Sequence, residues 1–243
     1  MLIPTEVVED FHPNQHGPRH ASPHAISRRD LMGGAIAIAG VAFASGARPL
    51  FAQDKSLPPT PKQTRGPFYP LGASGDMDAD LTLIEGRSER AKGQIVYLSG
   101  RVLDMRGKPV SGATLEIWQC NAAGKYAHPA DDNKAPIDPN FQGYALIKTD
   151  ASGAYKFKTI KPGAYPTGAG DWSRPPHVHF DIKGQTSRIS TQMYFEGEAL
   201  NTTDRLLNRI TNKNTVVARN IALGADQEIG AIALSWDIVL ISG

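Results

Sequence analysis

From Gln94 to the C terminus the sequence is cut into short β-rich runs by turn signals. That spacing restricts it to a layered, antiparallel all-β fold. Gln94–Asp104 is rich in strand formers and stops at Arg106-Gly107-Lys108-Pro109. Ala113–Gln119 alternates, with Leu115 and Ile117 on one face and Thr114, Glu116 and Trp118 on the other. Tyr144–Thr149 and Ala154–Ile160 flank Asp150-Ala151-Ser152-Gly153, a hairpin loop by composition. His177–Ile182, Thr191–Phe195 and Leu234–Ile241 complete the set, and Thr203–Asn208 is predicted as a short helix. The expectation is an antiparallel β-sandwich with long loops over residues 94–243, preceded by an extended arm over residues 53–93 whose Leu57–Tyr69 stretch is Pro-rich.

The chain has 243 residues, which suits one medium domain plus a leader. Its 24 glycines and 18 prolines favour loops and strands over a helix bundle. The net charge is +2 with no Lys/Arg run, which argues against a nucleic-acid partner. A single cysteine, Cys120, excludes an intramolecular disulfide framework and any multi-thiolate zinc or iron–sulfur site. Cys120 itself reads as a small buried hydrophobe.

Residues 1–52 read as a leader. Arg28 and Arg29 precede a soft run rich in Gly and Ala, from Leu31 to about Ala44, which resembles a twin-arginine export signal. The run is too short and glycine-rich to span a bilayer, so no stable membrane anchoring is expected. Cleavage is expected between residues 44 and 52, placing the mature protein in the periplasm or outside a bacterial cell. His12, His16, His20 and His24 would leave with it, so the mature chain keeps His128, His177 and His179.

Two of those three fall in Arg174-Pro175-Pro176-His177-Val178-His179-Phe180. Side chains two apart on a strand share a face, so both imidazoles can reach one metal ion. On a surface strand the same pair would be two solvated histidines. Further oxygen donors stand in two loops, Tyr126 in Gly124-Lys125-Tyr126-Ala127-His128-Pro129 and Tyr165 in Lys161-Pro162-Gly163-Ala164-Tyr165-Pro166. Taken singly, each tyrosine reads as a packing residue with a satisfied hydroxyl. Two phenolates with two imidazoles would suit ferric iron better than zinc or copper(I).

Several segments together resemble the intradiol ring-cleavage dioxygenases, in particular the iron-bearing subunits of protocatechuate 3,4-dioxygenases. They are Gly112-Ala113-Thr114-Leu115-Glu116-Ile117-Trp118-Gln119 with Asn121-Ala122-Ala123-Gly124-Lys125-Tyr126, Pro139-Asn140-Phe141, Thr159-Ile160-Lys161-Pro162-Gly163, the segment from Arg174 to Phe180, and Thr191-Gln192-Met193-Tyr194-Phe195-Glu196-Gly197. The resemblance implies Fe(III) as cofactor, held by Tyr126, Tyr165, His177 and His179. Tyr126 would stay bound throughout, and Tyr165 would leave when substrate arrives. Arg174 would lie beside the bound ring and Gln192 near the iron. Gln63-Thr64-Arg65-Gly66-Pro67-Phe68-Tyr69 is similar to the start of the iron-free subunit of the same enzymes, which implies that Thr64, Gly66 and Pro67 line the substrate mouth. Thr167 departs from the pattern, standing where those enzymes carry a tryptophan against the substrate ring. No long helical segment precedes the strands, unlike in catechol and hydroxyquinol dioxygenases.

The resemblance implies a reaction of a small aromatic diol with dioxygen, both oxygen atoms entering the product. Protocatechuate, giving 3-carboxy-cis,cis-muconate, is the expected substrate. Assembly into a homo-oligomer is left open. Rival readings are a dioxygenase for catechol or hydroxyquinol, a non-catalytic exported β-sandwich binding module, and a zinc hydrolase. The last lacks a third His or carboxylate at suitable spacing.

Overall fold

The computed structural model describes residues 56–72 and 76–243. The predicted leader, residues 1–52, lies outside them, as do residues 53–55 and 73–75.

Eleven strands account for nearly all regular structure: β1 (Ile95–Asp104), β2 (Thr114–Trp118), β3 (Tyr144–Lys148), β4 (Ala154–Ile160), β5 (Tyr165–Pro166), β6 (Ser173–Arg174), β7 (His177–Lys183), β8 (Arg188–Phe195), β9 (Val217–Ile221), β10 (Ile232–Ser235) and β11 (Ile238–Leu240). Nine of them form one nearly closed sheet. Its path runs β11-β1-β10-β9-β8-β7-β2-β3, with β4 paired to β1 off that path, while β5 and β6 form a separate two-residue ladder.

Alternation along the strands sets the core. Val96, Leu98 and Val102 of β1, Leu115 and Ile117 of β2, Val178, Phe180 and Ile182 of β7, and Leu234 of β10 are buried in one apolar cluster. Phe180 meets Phe157 of β4 and Trp236 edge-on, with ring centroids 6.0 and 5.0 Å apart. Burial on this scale stabilises by roughly 1.5–3 kcal/mol per large apolar side chain.

The sheet departs from the antiparallel expectation in three places. β1 pairs β10 and β11 in parallel, and β8 pairs β9 in parallel. The predicted strand Leu234–Ile241 is two strands, because the chain steps sideways at Trp236-Asp237. There Asp237 Oδ1 accepts the Arg101 N–H at 2.9 Å, and the Trp236 carbonyl accepts the Tyr155 hydroxyl at 2.7 Å. Gly100 allows the step, since a Cβ there would lie 1.8 Å from the Trp236 oxygen.

The predicted helix over Thr203–Asn208 is not formed either. Two 3-10 turns take its place, Ala199–Thr202 before it and Leu207–Arg209 across its end. Asp204 interrupts the segment. Its Oδ1 accepts the Leu206 and Leu207 N–H groups, a side-chain cap that competes with helix continuation.

Residues 56–70 make no strand or helix. They attach through single bonds: Leu57 N–H to Met105 O, Thr60 N–H to Val239 O and Gln63 N–H to Ser190 O. Thr60 Oγ1 accepts the Val239 N–H in return.

Candidate functional site

Strand β7 is buried on both faces. Val178, Phe180 and Ile182 enter the core, while His177, His179 and Asp181 point the other way and are 1 %, 2 % and 2 % exposed. The solvated-surface reading of the His-x-His pair is therefore excluded. Their cover is the segment that precedes the strands. Arg65 ion-pairs with Asp181 and lies over the Tyr69 ring at 4.7 Å. A Cβ on Gly66 would sit 3.4 Å from His179 Cε1, and its φ of +71° is a conformation that glycine adopts at least cost.

The two ε-nitrogens of His177 and His179 converge to 3.2 Å. His177 Nδ1 lies 2.7 Å from Pro175 O, so Nδ1–H donates there and the Nε2 lone pair is free. His179 is set by stacking instead. Its ring lies 5.0 Å from Trp118 at 10°, and the two residues are partners in the β2–β7 register. Burial, then the Arg174 charge, lowers His179 to about 3, and burial puts His177 well below its usual range. Both imidazoles are thus neutral, with their ε-nitrogens turned toward one another as two ligands of one cation would be.

Tyr165, on β5, brings its hydroxyl to 3.4 Å from His177 Nε2. Tyr126 meets the Tyr165 ring edge-on at 5.6 Å and the His179 ring at 6.3 Å. Its hydroxyl is buried with no hydrogen-bond partner among the described residues. Burial raises Tyr165 to about 12 and Tyr126 well above its ordinary value. A buried phenol with an unpartnered hydroxyl, beside the inward ε-nitrogens of two imidazoles, fits a hard, highly charged cation that would deprotonate it. Among the described residues no cluster of three or more His, Cys, Asp or Glu could hold a metal, which disfavours the zinc-hydrolase reading.

Glycines let the two tyrosine loops touch. A Cβ on Gly124 would lie 2.6 Å from Ala164 O, and one on Gly163 would lie 2.5 Å from Ala122 O. The Gly163 N–H donates to Asn121 O at 2.9 Å. Gly124 also has φ +79°, so Gly124→Ala is expected to cost roughly 2–4 kcal/mol, checked by urea unfolding. Asp131 fixes the other side, its Oδ2 accepting the Tyr126 N–H at 2.7 Å.

Arg174 pairs with Tyr165 across the β5–β6 ladder, and Gln192 is opposite His179 in the β7–β8 register. The Arg174 Nη2 donates to Gln192 Oε1 at 2.6 Å. Gln192 Nε2 in turn donates to Thr64 O at 2.8 Å. Thr64 and Gly66 therefore lie against the site, while Pro67 is exposed beside them. Thr167 turns inward on its own loop, its Oγ1 donating to Trp172 O at 2.9 Å. Sequence reasoning missed Trp118, Phe68, Tyr194 and Asp204. Only Trp118 left a signal, as the apolar member of the polar face of β2. Phe68 lies 4.6 Å from Tyr126 and 6.3 Å from Tyr165 and completes the aromatic wall.

The nearly all-β frame thus turns two imidazoles and two phenols toward one another. A family model described as Dioxygenase matches residues 64–242, and the chain belongs to this family, the intradiol dioxygenases. It is 41% identical over 180 residues to the protocatechuate 3,4-dioxygenase beta chain of Burkholderia cepacia, covering 72% of this chain and 76% of that one. It is 34% identical over 154 residues to catechol 1,2-dioxygenase 1 of Acinetobacter lwoffii, covering 58% of this chain and 48% of that enzyme, about half its length. Among solved structures, the dioxygenase domain of a dioxygenase carbohydrate-binding protein fusion from Streptomyces sp. SirexAA-E matches with a TM-score of 0.58 at 25% identity. It covers 76% of this chain and 100% of that one. Catechol 1,2-dioxygenase from Acinetobacter radioresistens shares the fold, with a TM-score of 0.60 at 23% identity over 79% of this chain and 65% of that one.

Proposed function

We propose that the chain is a non-haem ferric intradiol dioxygenase that opens a protocatechuate-type ring between its two hydroxyl-bearing carbons. One observation carries this reading: four buried donors, Tyr126, Tyr165, His177 and His179, converge with the imidazole ε-nitrogens 3.2 Å apart. A non-catalytic binding module gives no reason to bury that set with the Tyr126 hydroxyl unpartnered.

Tyr126, Tyr165, His177 and His179 would hold the ion. Ferric iron bound there would supply Lewis acidity, which acidifies the hydroxyls of a diol and makes its ring more open to dioxygen. As the phenolate it would be with the ion bound, Tyr165 would take one diol proton at its oxygen. With their ε-nitrogens on the ion, His177 and His179 would have no lone pair left for that proton, which leaves the tyrosine as the base. Arg174 stabilises charge that develops on the ring, and Gln192 orients Arg174. Gly66 and Phe68 roof the donors and limit water.

Similarity to the Burkholderia cepacia beta chain supports protocatechuate as substrate and 3-carboxy-cis,cis-muconate as product. Dioxygen uptake against a panel of catechols is expected to favour protocatechuate over catechol by roughly tenfold or more in kcat/KM. A higher value for catechol or hydroxyquinol would reassign the substrate, with Thr167 the first residue to exchange. A colourless protein carrying only stoichiometric zinc would overturn the ferric reading itself.

We further propose that residues 1–52 direct twin-arginine export of the folded, metal-loaded chain to the periplasm or beyond. Replacing Arg28 and Arg29 with Lys is expected to strand the protein in the cytoplasm, and unchanged localisation would refute this. No helix among the described residues is long and apolar enough to cross a membrane.

A further inference from the structure

We propose that Asp204 is a positioning residue that fixes the Arg174 guanidinium at the edge of the reaction site, an inference that rests on the diol-cleaving reading above. Arg174 is 5% exposed, and its guanidinium is divided among named partners. Nε–H donates to Asp204 Oδ2 at 2.7 Å. Nη2 donates to Gln192 Oε1 at 2.6 Å and lies 3.2 Å from the Tyr194 hydroxyl. Nη1 has no partner among the described residues, which leaves it as the end free for a ring or its oxygens. Since Arg174 faces Tyr165 across one ladder and Gln192 faces His179 across another, that end is held near the four donors.

Asp204 is built to hold still. It is 0% exposed, and its second oxygen accepts the Leu206 and Leu207 N–H groups at 3.0 and 2.7 Å. One carboxylate thus does two separable things. Oδ1 caps a turn, while Oδ2 supplies the counter-charge and direction for a side chain that is otherwise rich in rotamers. A buried guanidinium with no carboxylate beside it would be costly, and its charge would be free to seek a bound diolate directly. Paired with Asp204, Arg174 keeps its ionised form in one pose and does not over-bind the ground state.

The two jobs can be separated by substitution. Asp204→Asn and Asp204→Ser keep an oxygen for the turn but remove the counter-charge, and Asn would set an amide donor against the Arg174 donor. Metal-loaded parent, Asp204→Asn, Arg174→Gln and the double variant are compared in three measurements. These are steady-state dioxygen uptake with protocatechuate, anaerobic calorimetric binding of protocatechuate, and thermal unfolding. Arg174→Gln is expected to lose ~100-fold in kcat. Asp204→Asn is expected to lose roughly 10–100-fold in kcat, with anaerobic affinity equal to the parent's or tighter. The double variant should match Arg174→Gln within about twofold and melt above Asp204→Asn, because the unpaired charge is gone. Asp204→Ser carries the same comparison if Asp204→Asn does not accumulate. Losses that multiply in the double variant, or turnover by Asp204→Asn equal to the parent's, would overturn the inference. If none of the catechols supports dioxygen uptake by the metal-loaded parent, the diol-cleaving reading fails first. The positioning role then falls with it, and the pair is structural only.

Discussion

His177→Ala and His179→Ala are each expected to purify with at least 10–100-fold weaker iron binding and no measurable ring cleavage. Each removes one of four buried donors, and the loss of an outer partner alone commonly costs that much in affinity. The fold should survive, because the core side of β7 is untouched: Val178 and Phe180 point away from the site. The two variants should still differ in one respect. His177 is tethered through its own Nδ1 to Pro175 O, so its loss leaves that carbonyl without the partner it has in the parent. His179 is wedged between Trp118 and Gly66, so its loss opens a void under the covering segment. Metal analysis alongside far-ultraviolet circular dichroism makes the check. Retention of one iron per chain by either variant would show that the pair is not the metal's anchor.

The two tyrosines should part company on substitution. Tyr126→Phe is expected to weaken iron binding and change the visible absorbance of the substrate complex. Tyr165→Phe is expected to keep iron but bind substrate roughly 10–100-fold more slowly, because a base for one diol proton is missing. The asymmetry has a structural basis. Tyr126 is fixed at its backbone by Asp131 and hemmed by Phe68, Tyr165 and His179. Tyr165 stands on a ladder only two residues long, with its hydroxyl 3.4 Å from His177 Nε2. Both rings touch the aromatic wall, so the difference lies in the backbone: a two-residue ladder yields more readily than a segment held by the Asp131 carboxylate. Anaerobic rapid mixing followed by absorbance separates association from later steps. Parent-like association in Tyr165→Phe would reverse the roles given to the two residues.

Much of the frame was legible because alternation and turn chemistry are local. Ala154–Ile160 was predicted to the residue, and β1, β2, β3 and β7 to within one at either end. What escaped was non-local. Nothing in Val217–Ile221 announces a partner, since this strand exists by pairing in parallel with Tyr194 and Phe195 and antiparallel with residues 233–235. The ladder of Tyr165-Pro166 with Ser173-Arg174 is too short to leave a period. Of the site, His177 and His179 could be found from strand geometry, and the tyrosines only with the family resemblance beside it. Asp204 was hidden inside a helix-like pattern, because a carboxylate that caps a turn and pairs with an arginine 30 residues away looks like any exposed helical aspartate.

The segment over His179 and the residues just before it close some of the longest hydrogen-bonded loops among the described residues. Gln63 bonds residues 128 and 129 positions away in Thr191 and Gln192, and Thr60 bonds Val239 across 179. Contacts at such separation form late, after local pairs such as the β7–β8 hairpin have condensed. The donors are therefore assembled before this segment docks over them, which gives an ion a wider approach than the folded chain offers. Iron is expected to enter during folding, and afterwards to exchange no faster than this segment peels away.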